Sequence, residues 1–188
     1  MNNDMLSWIS VLESKDPSKI ELEPLRYSTG DLDPVLSKDN VEYHYNVLSQ
    51  GYVDRYNNRE GDPSFNLGGA KLHNLFWQQL KAPYGANAPT GHVKDVIEDR
   101  YKSYANFQEE LSVEAMKIQG SGWVYLAKNG DIKTTANQTF KSDIIMPIDM
   151  WEHSFMDYIP SKNAKKKYIK AMFKIMDWQI INDRFNSR

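Results

Sequence analysis

Met146-Pro147-Ile148-Asp149-Met150-Trp151-Glu152-His153 is the stretch on which the reading of this chain turns. An apolar run, Ile144 to Ile148, delivers a carboxylate at Asp149 and, four residues on, an imidazole at His153. If the chain turns helical after Asp149, both side chains fall on the same side of that turn. A carboxylate and an imidazole make half of a metal site suited to first-row transition ions, and neither loses a proton at unusual cost near neutral pH. The same spacing serves an ordinary hydrogen-bonded pair, so the pair alone leaves both readings open. The setting favours a metal: Trp151 and Trp123 are large apolar walls, and a dry pocket with convergent polar groups is costly unless something occupies it.

Working outward, the 188 residues suffice for one core of good size, or for two small lobes sharing one. A hydrophobic share of 40%, a charged share of 26% and a net charge of −2 describe a soluble globular protein. That balance gives no general surface for nucleic acid. No apolar run approaches the roughly 18 residues a membrane span needs. With no cysteine, disulfides, thiolate zinc sites and a cysteine nucleophile are excluded. The start, Met1-Asn2-Asn3-Asp4, has neither the basic lead of a secretion signal nor the Arg-rich lead of a transit peptide, so the expected location is the cytoplasm.

Leu6, Ile9 and Leu12 fall at helical spacing within an N-terminal extension, residues 1–21, and predict a short helix over 4–14 before a break at Asp16-Pro17-Ser18. Pro24, Gly30 and Pro34 then break any periodicity. From Lys38, Val41, Tyr45, Leu48 and Tyr52 recur at helical steps, with His44, Leu48 and Tyr52 on an adjoining face. After the loop Asn57 to Pro63, Ser64 is the expected cap of a second helix with Gly69, His73, Phe76, Trp77 and Leu80 along one side. Gly68 and Gly69 are poor helix formers, and their value there is space: something bulky must lie against that face. So short a loop predicts antiparallel packing, giving a helical hairpin over 22–84.

Pro83 to Pro89 reads as a linker into a second lobe, 85–188. Helices are predicted from Thr90 to Tyr101 and Tyr104 to Ile118, with His92 at a polar helix start outside any site. Trp123 to Ala127 and Ile132 to Thr135 flank Asn129-Gly130, a strong hairpin signal, and Ile144 to Ile148 makes a third strand. Tyr168, Met172, Phe173 and Met176 predict a further helix, and Trp178 to Phe185 a last short one. Lys165-Lys166-Lys167 reads as a solvated helix face. The fold class is α+β: an N-terminal antiparallel helical hairpin, then a lobe of helices around a small three-stranded antiparallel sheet.

Of four histidines, three fall on apolar faces: His44, His73 and His153. With Asp149 they make three neutral imidazoles and one anionic oxygen, a set that suits iron or manganese better than structural zinc.

The segments Val41-Glu42-Tyr43-His44, His73 to Trp77, Gly120 to Trp123 and Asp149 to His153 stand in the order found in iron/manganese superoxide dismutases, and the chain resembles that family from about Leu22 to Phe185. The resemblance implies that His44, His73, Asp149 and His153 hold one metal ion per subunit. It makes Tyr52 the gateway tyrosine, puts Trp77, Trp123 and Trp151 around the metal, and casts Glu152 as the bridge to a partner in a homodimer. It also implies that Gln138, from the sheet side, bonds the metal's solvent while the helix position holds Gly69. That pattern points to manganese, with iron possible, because a donor beside bound solvent favours the oxidised metal. The substrate so implied is superoxide, converted to dioxygen and hydrogen peroxide.

Leu48, Met156 and Gln119 depart from the family pattern. Leu48 and Met156 replace a polar contact across the dimer by an apolar one, and Gln119 stands at a funnel position where phenylalanine is usual. No arginine follows His153 at its usual place. Two other readings compete: a structural protein on the same fold that has lost the chemistry, and a metalloenzyme of another class using the same ligands.

Overall fold

The Ser37 side chain accepts a hydrogen bond from the Asn40 backbone N–H and so starts the first helix at Lys38. In the computed structural model, which describes residues 19–187, that helix is three segments in series. They are α1 (Lys38–Glu42), a π-helical stretch (Tyr43–Ser49) and α2 (Gln50–Asn57). The predicted helix over 4–14 and the break after it lie outside the described residues.

The π-helical stretch corrects the expected register. Its hydrogen bonds close over five residues instead of four, which slips the helix face by about one position. Val41, His44, Ser49, Tyr52 and Val53 are therefore buried, while Tyr45 and Leu48, placed in the apolar pattern by sequence, are only half-buried. Ser49 takes the inward place expected for Leu48.

The second helix, α3 (Pro63–Gln78), is started by Asp62, whose carboxylate accepts from the Phe65 N–H at 2.8 Å, with Pro63 in the first turn. Ser64 is not its cap. An acidic residue followed by proline is the stronger start signal, because proline's fixed φ suits the first helical position and its missing N–H would be unpaired there anyway. From Asn66 onward α3 is buried on nearly every side, Leu67 and Lys71 excepted, because the hairpin partner and the second lobe both pack on it.

α4 (Gly91–Tyr101) and α5 (Tyr104–Met116) follow, and α5 ends two residues earlier than predicted. The sheet has strand order β2-β1-β3, all antiparallel: β1 (Gly122–Ala127), β2 (Ile132–Ala136) and β3 (Ile144–Asp149). Every residue of β1 and β3 is buried, which is why both read as unbroken apolar runs. Gly130 turns the β1–β2 hairpin with φ of 83°, a conformation that favours glycine. β3 reaches one residue further than predicted and sets Asp149 opposite Trp123.

After β3 the chain does not turn directly into a helix. Trp151 is extended, and a 3₁₀ segment (Glu152–Tyr158) carries His153. α6 (Ala164–Met172) ends before Met176, which instead bridges to Leu80, and α7 (Trp178–Asn186) closes the described chain. One core joins hairpin and lobe: Leu72, Phe76 and Trp77 of α3 pack in the same cluster as Val124, Ile148, Met172 and Trp178. No helix among the described residues is long and apolar enough to cross a membrane.

Candidate metal centre

His44 sits in the π-helical stretch because that stretch brings two inward positions five residues apart onto one line. The Ser49 hydroxyl donates to the His44 carbonyl at 2.8 Å and accepts from Trp77 Nε1 at 2.9 Å. His73 comes from the buried face of α3, where the Gly69 carbonyl, one turn earlier, accepts from His73 Nδ1 at 2.7 Å. That bond fixes the tautomer and leaves the Nε2 lone pair facing inward. Asp149 ends β3, and its Oδ1 accepts from the Trp151 N–H at 2.8 Å, which aims Oδ2 at the imidazoles. His153 follows on the 3₁₀ segment, its carbonyl accepting from Asn40 Nδ2 at 3.3 Å.

The four side chains named by sequence thus meet. One ligand atom from each of His44, His73, Asp149 and His153 lies within 4.8 Å of the others. Asp149 Oδ2 is 3.2 Å from His153 Nε2, 3.3 Å from His44 Nε2 and 3.7 Å from His73 Nε2, and the His44 and His73 Nε2 atoms are 3.0 Å apart. Bonds of about 2.1 Å to one ion put neighbouring ligand atoms about 3.0 Å apart at right angles and about 3.6 Å apart at 120°. The three spacings from Asp149 Oδ2 and the one between His44 and His73 lie close to that range, while the set as a whole extends to 4.8 Å.

Charge makes the same demand. Burial pushes the His44 and His73 imidazoles below their ordinary values, His73 to about 3, with neighbouring His44 adding to the effect. Burial alone would raise the Asp149 carboxyl, but hydrogen bonds and charge from His153 and His44 more than offset it and hold it below the usual carboxylate range. Neutral imidazoles and an ionised, fully buried carboxylate are the donor set a divalent cation needs.

Aromatic rings close the chamber. Trp77 meets the His44 ring edge-on at 4.8 Å, Trp123 meets His73 at 5.1 Å, and Trp151 lies 5.9 Å from His153. Tyr52 stacks on His73 at 5.2 Å. Trp123 Nε1 donates to Gln138 Oε1 at 3.0 Å, and Gln138 Nε2 donates to the Tyr52 hydroxyl at 3.0 Å. The orientation of the Gln138 amide follows from this chain, since an indole N–H can only donate.

The glycine pair has the predicted use. A Cβ at Gly69 would stand 2.6 to 3.0 Å from the Tyr52 ring, and one at Gly68 would stand 1.9 Å from the Gln138 carbonyl. Tyr52 and Gln138 are the bulk that face receives. Glu152 is exposed on the 3₁₀ segment beside His153, and His92 packs on Phe185 away from the centre.

Sequence reasoning missed several neighbours. Phe76 lies against His44, Phe65 bridges the Tyr52 and Trp151 rings, and the Arg55 guanidinium sits 4.9 Å from the Tyr52 ring. Phe76 shares the His73 side of α3, and Arg55 follows Tyr52 by three residues on α2, so helical spacing was an available signal for both. Phe65 reaches Tyr52 and Trp151 from the first turn of α3, across a loop.

Comparison with known proteins agrees with this geometry. The profile described as "Iron/manganese superoxide dismutases, alpha-hairpin domain" matches residues 19–64, and "Iron/manganese superoxide dismutases, C-terminal domain" matches residues 89–184. "Superoxide dismutase [Mn], mitochondrial" of Schizosaccharomyces pombe is 32% identical, covering 91% of this chain and 89% of that protein. "Superoxide dismutase [Mn] 1" of Halobacterium salinarum is also 32% identical, over 89% of this chain and 96% of the relative. "Superoxide dismutase [Mn]" of Mycolicibacterium fortuitum is 30% identical, over 87% of this chain and 91% of its own length. With four converging side chains that could hold a metal ion and matches of this extent, the chain belongs to the iron/manganese superoxide dismutase family.

Proposed function

We propose that this protein converts superoxide to dioxygen and hydrogen peroxide on one manganese ion per subunit, with iron possible in its place. The observation that carries the reading is the convergence of His44, His73, Asp149 and His153 in a buried chamber beside the Trp123–Gln138–Tyr52 chain. When bound, such an ion supplies one-electron redox chemistry, so that one superoxide is oxidised to dioxygen and a second, with two protons, is reduced to peroxide.

The side chains account for the rest. Three neutral imidazoles and one carboxylate leave a divalent ion with net charge near +1, which suits an anionic substrate. Gln138, with its oxygen committed to Trp123, presents only N–H donors to Tyr52 and the chamber. The Tyr52 hydroxyl accepts from Gln138, so its own proton remains free to be given. Burial raises the Tyr52 hydroxyl above its ordinary value, and the protonated form persists across neutral pH. Trp77, Trp123 and Trp151 keep bulk water out. The relatives' printed names and the placing of the glutamine on the sheet side both support manganese.

The subunits pair as a homodimer in this reading, with exposed Glu152 reaching the partner's centre and the half-buried Leu48 and exposed Met156 forming an apolar contact across the interface. No nucleic acid or membrane takes part, and the location is cytoplasmic. Reconstituting the purified protein separately with manganese and iron, then following superoxide decay, tests the reaction. Rapid decay with manganese and loss of activity on chelation are expected. A protein that binds either metal and leaves superoxide decay at its uncatalysed rate would contradict it.

A further inference from the structure

His73 and Asp149 stand on different elements, so the separation of α3 from β3 has to be fixed by something between them. β3 is an edge strand: β1 pairs with one side, and no other strand pairs with it among the described residues. Its free edge is met by side chains. Arg184 Nη1 donates to the Ile145 carbonyl at 3.0 Å, and Gln79 Nε2 donates to the Pro147 carbonyl. Ile145 is the extra residue of a bulge, since Leu126 pairs with Met146 and Ala127 with Ile144. Pro147 brings no N–H to the strand.

The same guanidinium reaches the helix. Arg184 Nη2 donates to the Leu75 carbonyl at 2.8 Å, two residues past His73, and Nη1 also donates to Gln79 Oε1 at 3.2 Å. Gln79 caps the C-terminal end of α3 and bonds β3 two residues before Asp149. One planar fork thus ties α7, α3 and β3 together in fixed directions. Arg184 is 5% exposed, and burying a cation that deeply costs more than burying an apolar residue of its size. What the charged fork adds over apolar packing is direction.

We infer that Arg184 and Gln79 form a positioning clamp that sets how far the helix bearing His73 stands from the strand bearing Asp149, and through it the geometry and retention of the metal. The inference rests on the reading of the four side chains as metal ligands. Both residues act through backbone carbonyls and touch no ligand atom themselves.

Two substitutions separate the clamp from simple packing. Gln79→Glu keeps the shape and an oxygen for Arg184 but sets a carboxylate against the Pro147 carbonyl. Arg184→Lys keeps the charge and loses the fork. Tyr101→Phe is the control: it removes a hydroxyl that donates to the Gly130 carbonyl and accepts from the Ile132 N–H at the β1–β2 turn, away from the free edge of β3. Each protein is loaded with manganese(II), its electron paramagnetic resonance spectrum is recorded, and loss of metal to excess EDTA is timed.

Gln79→Glu and Arg184→Lys are expected to release manganese on the order of tenfold faster than wild type and to show an altered resonance spectrum, while Tyr101→Phe matches wild type in both. Folded variants whose spectrum and release rate equal those of wild type would overturn the clamp. If Arg184→Lys does not fold, Gln79→Glu decides alone. A wild type that takes up no metal would overturn the functional reading, and the clamp with it; normal loading beside unaffected variants overturns the clamp only.

Discussion

Tyr52 lies flat against the backbone of α3 because residue 69 has no side chain. A methyl group there would come within 3.0 Å of three ring atoms, the nearest at 2.6 Å, so the ring must move for it to fit. Gly69→Ala sets two effects against each other. Alanine is the better helix former by about 1 kcal/mol, whereas overpacking a filled core costs about 1–3 kcal/mol. The clash should win, since the neighbour is a ring held from its other contacts by His73, Phe65 and the Gln138 amide. Gly69→Ala is therefore expected to be less stable in urea and slower in superoxide decay, with metal content unchanged. A variant more stable than wild type with full activity would show that Tyr52 is loosely held. That these glycines make room for something was legible from two poor helix formers inside a strong helical pattern. That the guest is Tyr52 was not, because nothing in local sequence reports a contact between positions 52 and 69.

Among the elements, the first helix carries the clearest departure from its sequence pattern. Steps of three and four predicted a regular helix with Leu48 facing inward, but the π-helical stretch turns Ser49 inward instead. A π-helical insertion leaves no mark in hydrophobic periodicity, which is why the register was missed while the helix itself was not. The structure also gives Ser49 two jobs: its hydroxyl holds the carbonyl of His44 and accepts the only N–H of the Trp77 ring. Ser49→Ala leaves that buried donor unpaired, a cost of about 1–3 kcal/mol. Urea denaturation of the metal-free protein should show a loss of that size, with a changed Trp fluorescence; equal stability would mean that Trp77 finds another acceptor. Strand β3 was more readable, because burial on both faces writes itself as the unbroken run Ile144 to Ile148. The start of α3 carried a signal too, in Asp62-Pro63, and reading Ser64 in its place moved the helix start by two positions.

For the whole molecule, the centre is assembled from distant parts of the sequence: two imidazoles from the hairpin, one carboxylate from the last residue of β3 and one imidazole from the segment after it. It was legible because histidine is scarce here, with four in the chain, and because three of the four fall on apolar faces. The supporting residues were not. Asn40, Gln79 and Arg184 act on carbonyls 113, 68 and up to 109 positions away, and a backbone carbonyl has no residue type to recognise. The shared core is what brings these distant parts to one place, where a single ion is expected. Anomalous diffraction from a crystal of the manganese-loaded protein tests it directly. One strong peak per chain is expected at bonding distance, about 2.0–2.2 Å, from His44 Nε2, His73 Nε2, His153 Nε2 and Asp149 Oδ2. A loaded protein whose peak lies elsewhere, or whose four side chains surround no peak at all, would contradict it.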